Sequence, residues 1–292
     1  MISQFLSLLS IGVGLGAVYA VGAVGLALIF RMTGILHFAH GAVFVVASYV
    51  LLGTTEHGVP LLIAVLLALV VGGFAGVVVY EGVYRPLERR GVTELGFVIS
   101  SFGVLIVSQN AMTLAFGSTA RSVVLDSGVS HRAFRLGAVT VRAADLVALL
   151  VAVAVIGGFA YFRLRTRTGL LLRALEGNKR LAADLGISYR RYASVIFLFG
   201  SLFAAVAAAM SSFTVPVAPD GGLQWTVWVY IAMAVGGTGS IWSAALGGLV
   251  LGILSTVPDQ WIPGSWNVVL AFGVLVLILL VKPNGLMAAR DP

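Results

Sequence analysis

The chain contains no cysteine, which excludes disulfides, thiol nucleophiles and Cys-ligated metals. Charge is scarce: 10% of its 292 residues are Asp, Glu, Lys or Arg, against about 25% in soluble domains. With 60% of the residues hydrophobic, a soluble globular protein is excluded and an integral membrane protein follows. None of the 11 acidic residues lies in the middle of an apolar run, and Glu81 and Glu94 sit at run ends. Ion-coupled carriers commonly use buried carboxylates, so this absence argues against ion coupling. There is no G-x-x-x-x-G-K-[ST] loop: no Lys follows the Gly236–Ser240 run, and Gly12-x-Gly14 lies inside an apolar stretch instead of between a strand and a helix. No H-E-x-x-H and no clustered Ser/His/Asp set is present, so enzymatic chemistry has no candidate. No Lys or Arg precedes Arg31, so the basic region of a cleaved signal peptide is missing and Ser7–Phe30 is expected to be a true span.

What is present is apolar length and glycine. A helix needs about 20 apolar residues to cross the hydrocarbon core. Ser7–Phe30, Ile35–Leu52, Pro60–Tyr80, Leu95–Gly117, Leu146–Phe162, Tyr192–Val215 and Trp266–Val281 qualify, with Thr226–Val257 broken by Gly236-Gly237-Thr238-Gly239-Ser240. Two short or tilted segments meeting at that break are expected, because broken backbone at membrane depth must be buried in protein or face water. The fold class is therefore all-α, a polytopic bundle of eight or nine crossings, in a single domain spanning residues 1–292 without internal repeat. Gly12, Gly16, Ala20 and Gly25 fall near one face of the first span and mark it as a close-packing helix.

Orientation follows from the 18 basic residues. Eight of them lie in Arg163–Arg191; placing that loop in the cytoplasm and alternating puts 14 inside and only Arg121, Arg132, Arg135 and Arg142 outside. The C-terminus is then cytoplasmic and, with nine crossings, the N-terminus outside. This bias accounts for the net charge of +7 better than nucleic-acid binding does. The outside loop, residues 118–145, carries short β-branched runs at 121–126 and 134–142. These suggest a hairpin, either a solvated connector or a docking surface for an extracytoplasmic partner.

Within the cytoplasmic loop 163–191, Asn178 is a good N-cap and Gly186 a good C′ residue for a helix over Lys179–Leu185. Leu181, Ala182 and Leu185 share its apolar face, and Ile187 can fold back on its last turn. So short a helix is marginal alone. Its apolar face is received either by its own bundle or by a cleft in a cytoplasmic subunit. Elsewhere, Gln109 and Asn110 are mid-span amides extended by Ser100, Ser101, Ser108 and Thr113. They serve as interhelical bonds or as contacts for a polar solute, which makes Leu95–Gly117 the first candidate for a pathway helix. His37 and His40, three residues apart, share a helical face at the start of the second span. They lack a third metal ligand and are structural histidines or pathway groups. The Gly236–Ser240 break, including Gly237 and Thr238, is a structural turn or part of the solute path.

These segments resemble one family in order. Thr33-Gly34-Ile35-Leu36-His37-Phe38-Ala39-His40-Gly41 is similar to its early G-(V/I)-(I/L)-N-F-A-H-G element, and Tyr84-Arg85-Pro86-Leu87 to its Y-R-P-L element. Thr168-Gly169, Arg173-Ala174 and Ala182 through Gly186-Ile187 are similar to its cytoplasmic T-x-x-G…R-A…A-x-x-x-G-I loop. Gly236–Ser240 with Gly247-Gly248 and Lys282-Pro283-Asn284-Gly285-Leu286 are similar to its GG-x-GS…GA-x-x-GG and R-P-x-G-L elements. The chain thus resembles permease subunits of the LivH type, from the branched-chain amino acid ABC importers. His37 stands where that family usually has Asn, and Arg180 where the loop often carries an acid.

The resemblance implies a non-catalytic, alternating-access permease subunit for small polar solutes, branched-chain or other apolar amino acids first. It implies a multi-pass protein of the cytoplasmic membrane of a bacterium, paired with a LivM-type second permease. Two cytoplasmic ABC ATPases would use ATP and Mg, while this chain binds no cofactor, and an extracytoplasmic binding protein would deliver solute. It makes Arg173, Asn178, Leu181, Ala182, Asp184, Leu185, Gly186 and Ile187 the ATPase-coupling set. The residues themselves leave two other classes open. One is a passive channel for urea or glycerol, although Asn-Pro-Ala repeats are absent; the other is an ion-coupled carrier.

Overall fold

The computed structural model describes residues 2–123, 133–136, 139–261 and 263–287. It is a helical bundle built around its first helix. Helix α1 (Ile2–Thr33) is apolar on all sides, and from Ala17 to Ile29 every residue is buried, as a helix without a polar face must be. Around it stand α6 (Ala143–Arg165), α9 (Tyr189–Ser212), α10 (Gly221–Gly236) and α11 (Ile241–Leu254), while α2 (His40–Glu56), packed on α9 and α10, and α3 (Leu61–Val79), α5 (Glu94–Phe116) and α12 (Asn267–Val281) lie further out. Six helical segments are long and apolar enough to cross a membrane. The most exposed are those built on α3, α5 and α6, the faces lipid or a second subunit would cover. Helices α2, α10 and α12 are shorter, at 17, 16 and 15 residues. The eight or nine crossings expected thus approximate six long spans and three shorter helices.

Glycine sets the central packing. A Cβ on Gly16 would lie 2.9 Å from Leu249 Cα, and one on Gly12 2.9 Å from Ile253 Cα. Helix α11 therefore rests on the backbone of α1, so dispersion contacts of two main chains replace side-chain interdigitation. The break between α10 and α11 is a turn at Gly237 (φ 95°), followed by a reciprocal cap in which Ser243 N donates to Ser240 Oγ (2.9 Å) and Ser240 N to Ser243 Oγ (3.0 Å). The carbonyls left over at the end of α10 are taken by the chain beyond α12: Leu286 N donates to Val235 O (2.9 Å) and Met287 N to Gly236 O (3.2 Å). Two of the sequence motifs, Gly236–Ser240 and Lys282–Leu286, thus complete each other.

Four expectations change. Residues 34–39 are not α-helical, and α2 starts at His40 rather than Ile35, because Gly34 (φ 78°) turns the chain at the end of α1. Helix α3 continues through a π-helical turn, Tyr80–Tyr84, into α4 (Arg85–Arg89). The cytoplasmic loop begins later than Arg163, which lies inside α6, and it contains a second helix, α7 (Arg167–Gly177), before α8 (Lys179–Asp184). On the outer face the hairpin pairs β1 (Ala133–Leu136) with β2 (Val139–Arg142), covering the second β-branched run and starting one residue before it, so the first run takes no part in it. Of the first run, residues 124–126 lie outside the described residues, whereas Arg121 forms a bridge with Val217 and an ion pair with Glu56 at 2.6 Å.

Replacing Gly16 with Val should destabilise the protein by about 1–3 kcal/mol through overpacking. Gly82→Ala, where nothing lies within 4 Å of the added atom, should leave it unchanged. Melting of the detergent-solubilised protein, followed by size-exclusion chromatography, checks the pair.

Candidate functional site

The cytoplasmic arm is built from caps. Thr166 Oγ1 accepts from Gly169 N at 3.0 Å and starts α7, and Asn178 Oδ1 accepts from Leu181 N at 3.0 Å and starts α8. At the far end Gly186 (φ 79°) closes α8. Ile187 N donates to Ala182 O (2.9 Å) and Gly186 N to Ala183 O (2.9 Å), the two bonds of a Schellman cap. The helix then splits its apolar residues. Ala182 is 2% exposed and packs inward, whereas Leu181 and Leu185 are 57% and 73% exposed. Its own bundle does not receive those two leucines. Asp184 and Arg180 are exposed beside them, and Arg173 on α7 is half-buried.

Glu176, near the end of α7, ties this arm to the membrane helices. Its carboxylate, 3% exposed, meets Arg163 of α6 at 2.7 Å and Arg31 of α1 at 3.3 Å. The Arg31 Nη1 donates to Gly239 O at 2.7 Å, so one guanidinium joins the arm to the α10–α11 turn. A second tie runs through Glu88 of α4, which accepts from Tyr80 (3.2 Å) and from Tyr189 at the start of α9 (3.3 Å). Glu81 pairs with Arg85 and accepts from Ser194 of α9 at 2.6 Å.

Two cavities approach the interior from opposite ends. The outer one, about 590 Å³, lies among α1, α2, the end of α9 and the start of α10. The inner one, about 230 Å³, lies between residues 33–36 and Glu88, Glu94 and Phe97. Between them is a buried aromatic layer. His37 Nδ1 bonds the Tyr84 hydroxyl (2.7 Å), and its ring stands edge-on to Phe197 (5.1 Å). His40 is held by Gly22 O (3.3 Å) and stacks on Trp225 (5.4 Å). Each imidazole leaves one ring nitrogen without a partner among the described residues. Ser101 joins this layer, accepting from Phe38 N at 3.2 Å and donating to Val98 O at 2.8 Å.

Across residues 8–279 the chain matches the family model described as branched-chain amino acid transport system, permease component. The chain belongs to this family. It is 28% identical to the high-affinity branched-chain amino acid transport system permease protein BraD of Pseudomonas aeruginosa, over 99% of this chain and 98% of that one. It is 30% identical to the corresponding permease protein LivH of Escherichia coli K12, over 98% and 96%. It is also similar, at 23% identity over 88% of this chain and 77% of the other, to the fructose import permease protein FruG of Bifidobacterium longum. Among solved structures, PsaBC from Streptococcus pneumoniae in complex with Fab shares the fold, with a TM-score of 0.53 and 13% identity over 97% of each chain.

The protein is thus the membrane-spanning permease subunit of an ABC importer, a multi-pass protein of the cytoplasmic membrane. Its sequence-derived pathway residues do not form one site. His37, His40 and Ser101 meet in the buried layer. Asn110 is on the exposed face of α5 and bonds Ile106 O of its own helix, while Gln109 reaches Asp220 O at 3.4 Å and Ser108 is half-buried nearby. Helix α5 buries only Phe97, Ser101 and Leu105; its first turns line the inner cavity through Glu94 and Phe97, and Ser108, Gln109 and Asn110 lie on its outer half, away from that cavity. Gly237 and Thr238 sit at the cytoplasmic end, where a Cβ on Gly237 would run into Asn284 O. Sequence reasoning missed the joining residues Arg31, Glu176 and Glu88. It also passed over Thr166 ahead of Leu172 and Leu175, a cap and apolar stripe that signal α7.

Leu181→Asp with Leu185→Asp should abolish co-purification with cytoplasmic ATPase subunits while membrane insertion is retained. Asn178→Ala, costing about 1 kcal/mol of cap stability, should weaken it only partly. Affinity pull-down from solubilised membranes measures both.

Proposed function

We propose that this permease imports branched-chain or other apolar amino acids by alternating access, driven by two ABC ATPases that seat α8. The observation that carries the docking assignment is the exposure of Leu181 and Leu185 on a helix capped at both ends. A rigid apolar pair held out from the membrane arm suits a cleft on a soluble subunit. Arg173, Asn178, Ala182, Asp184, Gly186 and Ile187 shape that element or flank it. ATP and Mg are used on the partner chains, and a binding protein delivers solute to the outer face. A second, LivM-type permease covers the polar face of α5, where Ser108, Gln109 and Asn110 would otherwise meet lipid. The solute assignment follows the relatives that share nearly full length with this chain.

Closure of the ATPases would displace α8 and, through the short link at Asn178, α7. Glu176 transmits that displacement to Arg31 and Arg163, and Arg31 passes it to the carbonyl of Gly239. The moving parts are joined by charge-assisted hydrogen bonds, stronger and more directional than apolar contacts. The α10–α11 turn is where the push would arrive.

Vesicles reconstituted with both permeases, ATPases and binding protein should take up leucine only with ATP. Uptake by this chain alone, without ATP, would sink the proposal in favour of a passive channel. Arg31→Gln should keep ATP hydrolysis while lowering solute carried per ATP several-fold. An unchanged transport-to-hydrolysis ratio would remove Arg31 from the coupling route.

A further inference from the structure

The π-turn Tyr80–Tyr84 has a local cause. In an α-helix Pro86 would offer no N–H to Gly82 O, and its ring would press on that carbonyl. The chain widens instead, and Arg85 N donates to Tyr80 O across five residues. Both ends of the widened turn carry contacts. Tyr80 and Tyr84 are fully buried. Tyr84 bonds His37 at 2.7 Å, and Tyr80 stacks on Phe197 (4.9 Å, 25°). Beyond the turn, Glu88 of α4 is held by Tyr80 (3.2 Å) and by Tyr189 of α9 (3.3 Å). Lys179, the first residue of α8, lies over the Tyr189 ring at 5.3 Å and donates to Thr33 O at 3.3 Å. Side-chain contacts thus join α8 to α4, and the π-turn to His37, without involving Arg31 or Glu176.

His37 is not on a helix. It sits in the link 34–39, which leans on two other helices: Phe38 stacks on Phe102 of α5 (4.1 Å, 23°) and packs against Tyr230 of α10 (4.7 Å). Movement of this link is therefore felt at α5 and α10. Resting on the reading of the protein as an ATPase-driven importer, we propose that the Tyr80–Tyr84 π-turn is a hinge and that Tyr84 is the positioning residue through which it moves His37. Displacement of α8 shifts Lys179 and Tyr189, Glu88 carries the shift to α4, and the hinge turns Tyr84 against the 34–39 link. Coupling between separated sites needs an element with two discrete arrangements. The π-turn supplies one, because it holds one residue more than an α-turn and Pro86 withholds the α-type bond that would fix it. Nothing lies within 4 Å of where a Gly82 side chain would start, which leaves the middle of the turn room to rotate.

The test uses vesicles holding both permeases, the ATPases and the binding protein. Tyr84→Phe keeps the ring and removes only the bond to His37. It should retain ATP hydrolysis and lower leucine carried per ATP about fivefold, the shift that one neutral hydrogen bond makes in a two-state balance. Glu88→Gln should act alike, and the double variant should be no worse than either alone, because both residues lie on one route. Arg31→Gln, on the other route, should multiply the loss caused by Tyr84→Phe. An unchanged ratio in Tyr84→Phe, or independent losses from Tyr84→Phe and Glu88→Gln, would overturn the hinge; leucine uptake by the unaltered complex would still leave the importer reading intact. If the unaltered complex carries no leucine, the solute assignment fails and hydrogen exchange decides the hinge by itself. Trapping the ATPases with ATP and vanadate should change exchange in peptides covering 34–40 and 80–88, and Tyr84→Phe should abolish the change at 34–40 alone. Equal exchange in the two nucleotide states, or a change at 34–40 that survives Tyr84→Phe, would overturn the proposal.

Discussion

Lipid supplies no hydrogen-bond partner, so a helix broken near membrane depth must find one within the protein. The α10–α11 break meets this demand three times over. Ser240 and Ser243 cap the start of α11, the segment after α12 takes the last carbonyls of α10, and Arg31 takes Gly239 O. The same Arg31 holds Glu176, so the solution to a local backbone problem also joins arm and bundle. Capping of the break and the joining of arm to bundle share one guanidinium.

The proposed route through Arg31 needs an α1 that does not yield. Its buried length, with α11 laid against its glycines, makes a stiff central post. Close-packed interiors transmit displacement instead of absorbing it. In the coupling route proposed above, a pull on Arg31 would reach the α10–α11 turn before α1 itself bends. The two cavities lie on either side of the layer containing His37, His40 and Trp225, where movement of α10 would be felt first on the solute side.

Much of this architecture was legible in the sequence. Apolar length gave the spans, the Gly236–Ser240 run announced two helices, and Asn178 with Gly186 placed α8 to within a residue. These features are local: a cap or a turn residue acts on the backbone within a few positions of itself. What was not legible is non-local. Nothing near Arg31 in the chain says that its partners are Glu176 and Gly239, and nothing near Lys282 says that the residues after it cap α10. Which way the candidate pathway residues point is non-local too. A mid-span Asn reads as polar wherever it points, and only the assembled bundle puts Asn110 outward and His37 inward. The start of α2 was misplaced because hydropathy continues through Ile35–Ala39 although the helix does not.

The tie between Gly237 and Asn284–Gly285 has a consequence for biogenesis. During synthesis α10 and α11 emerge well before residues 282–287, the segment that caps α10. Until that segment arrives, the carbonyls of Val235 and Gly236 lack the donors that Leu286 N and Met287 N later supply, and the break is held by the Ser240–Ser243 cap, Arg31 and the packing of α10 on α11. The caps on these two carbonyls can therefore form only after the chain beyond α12 has been made and folded back on α10.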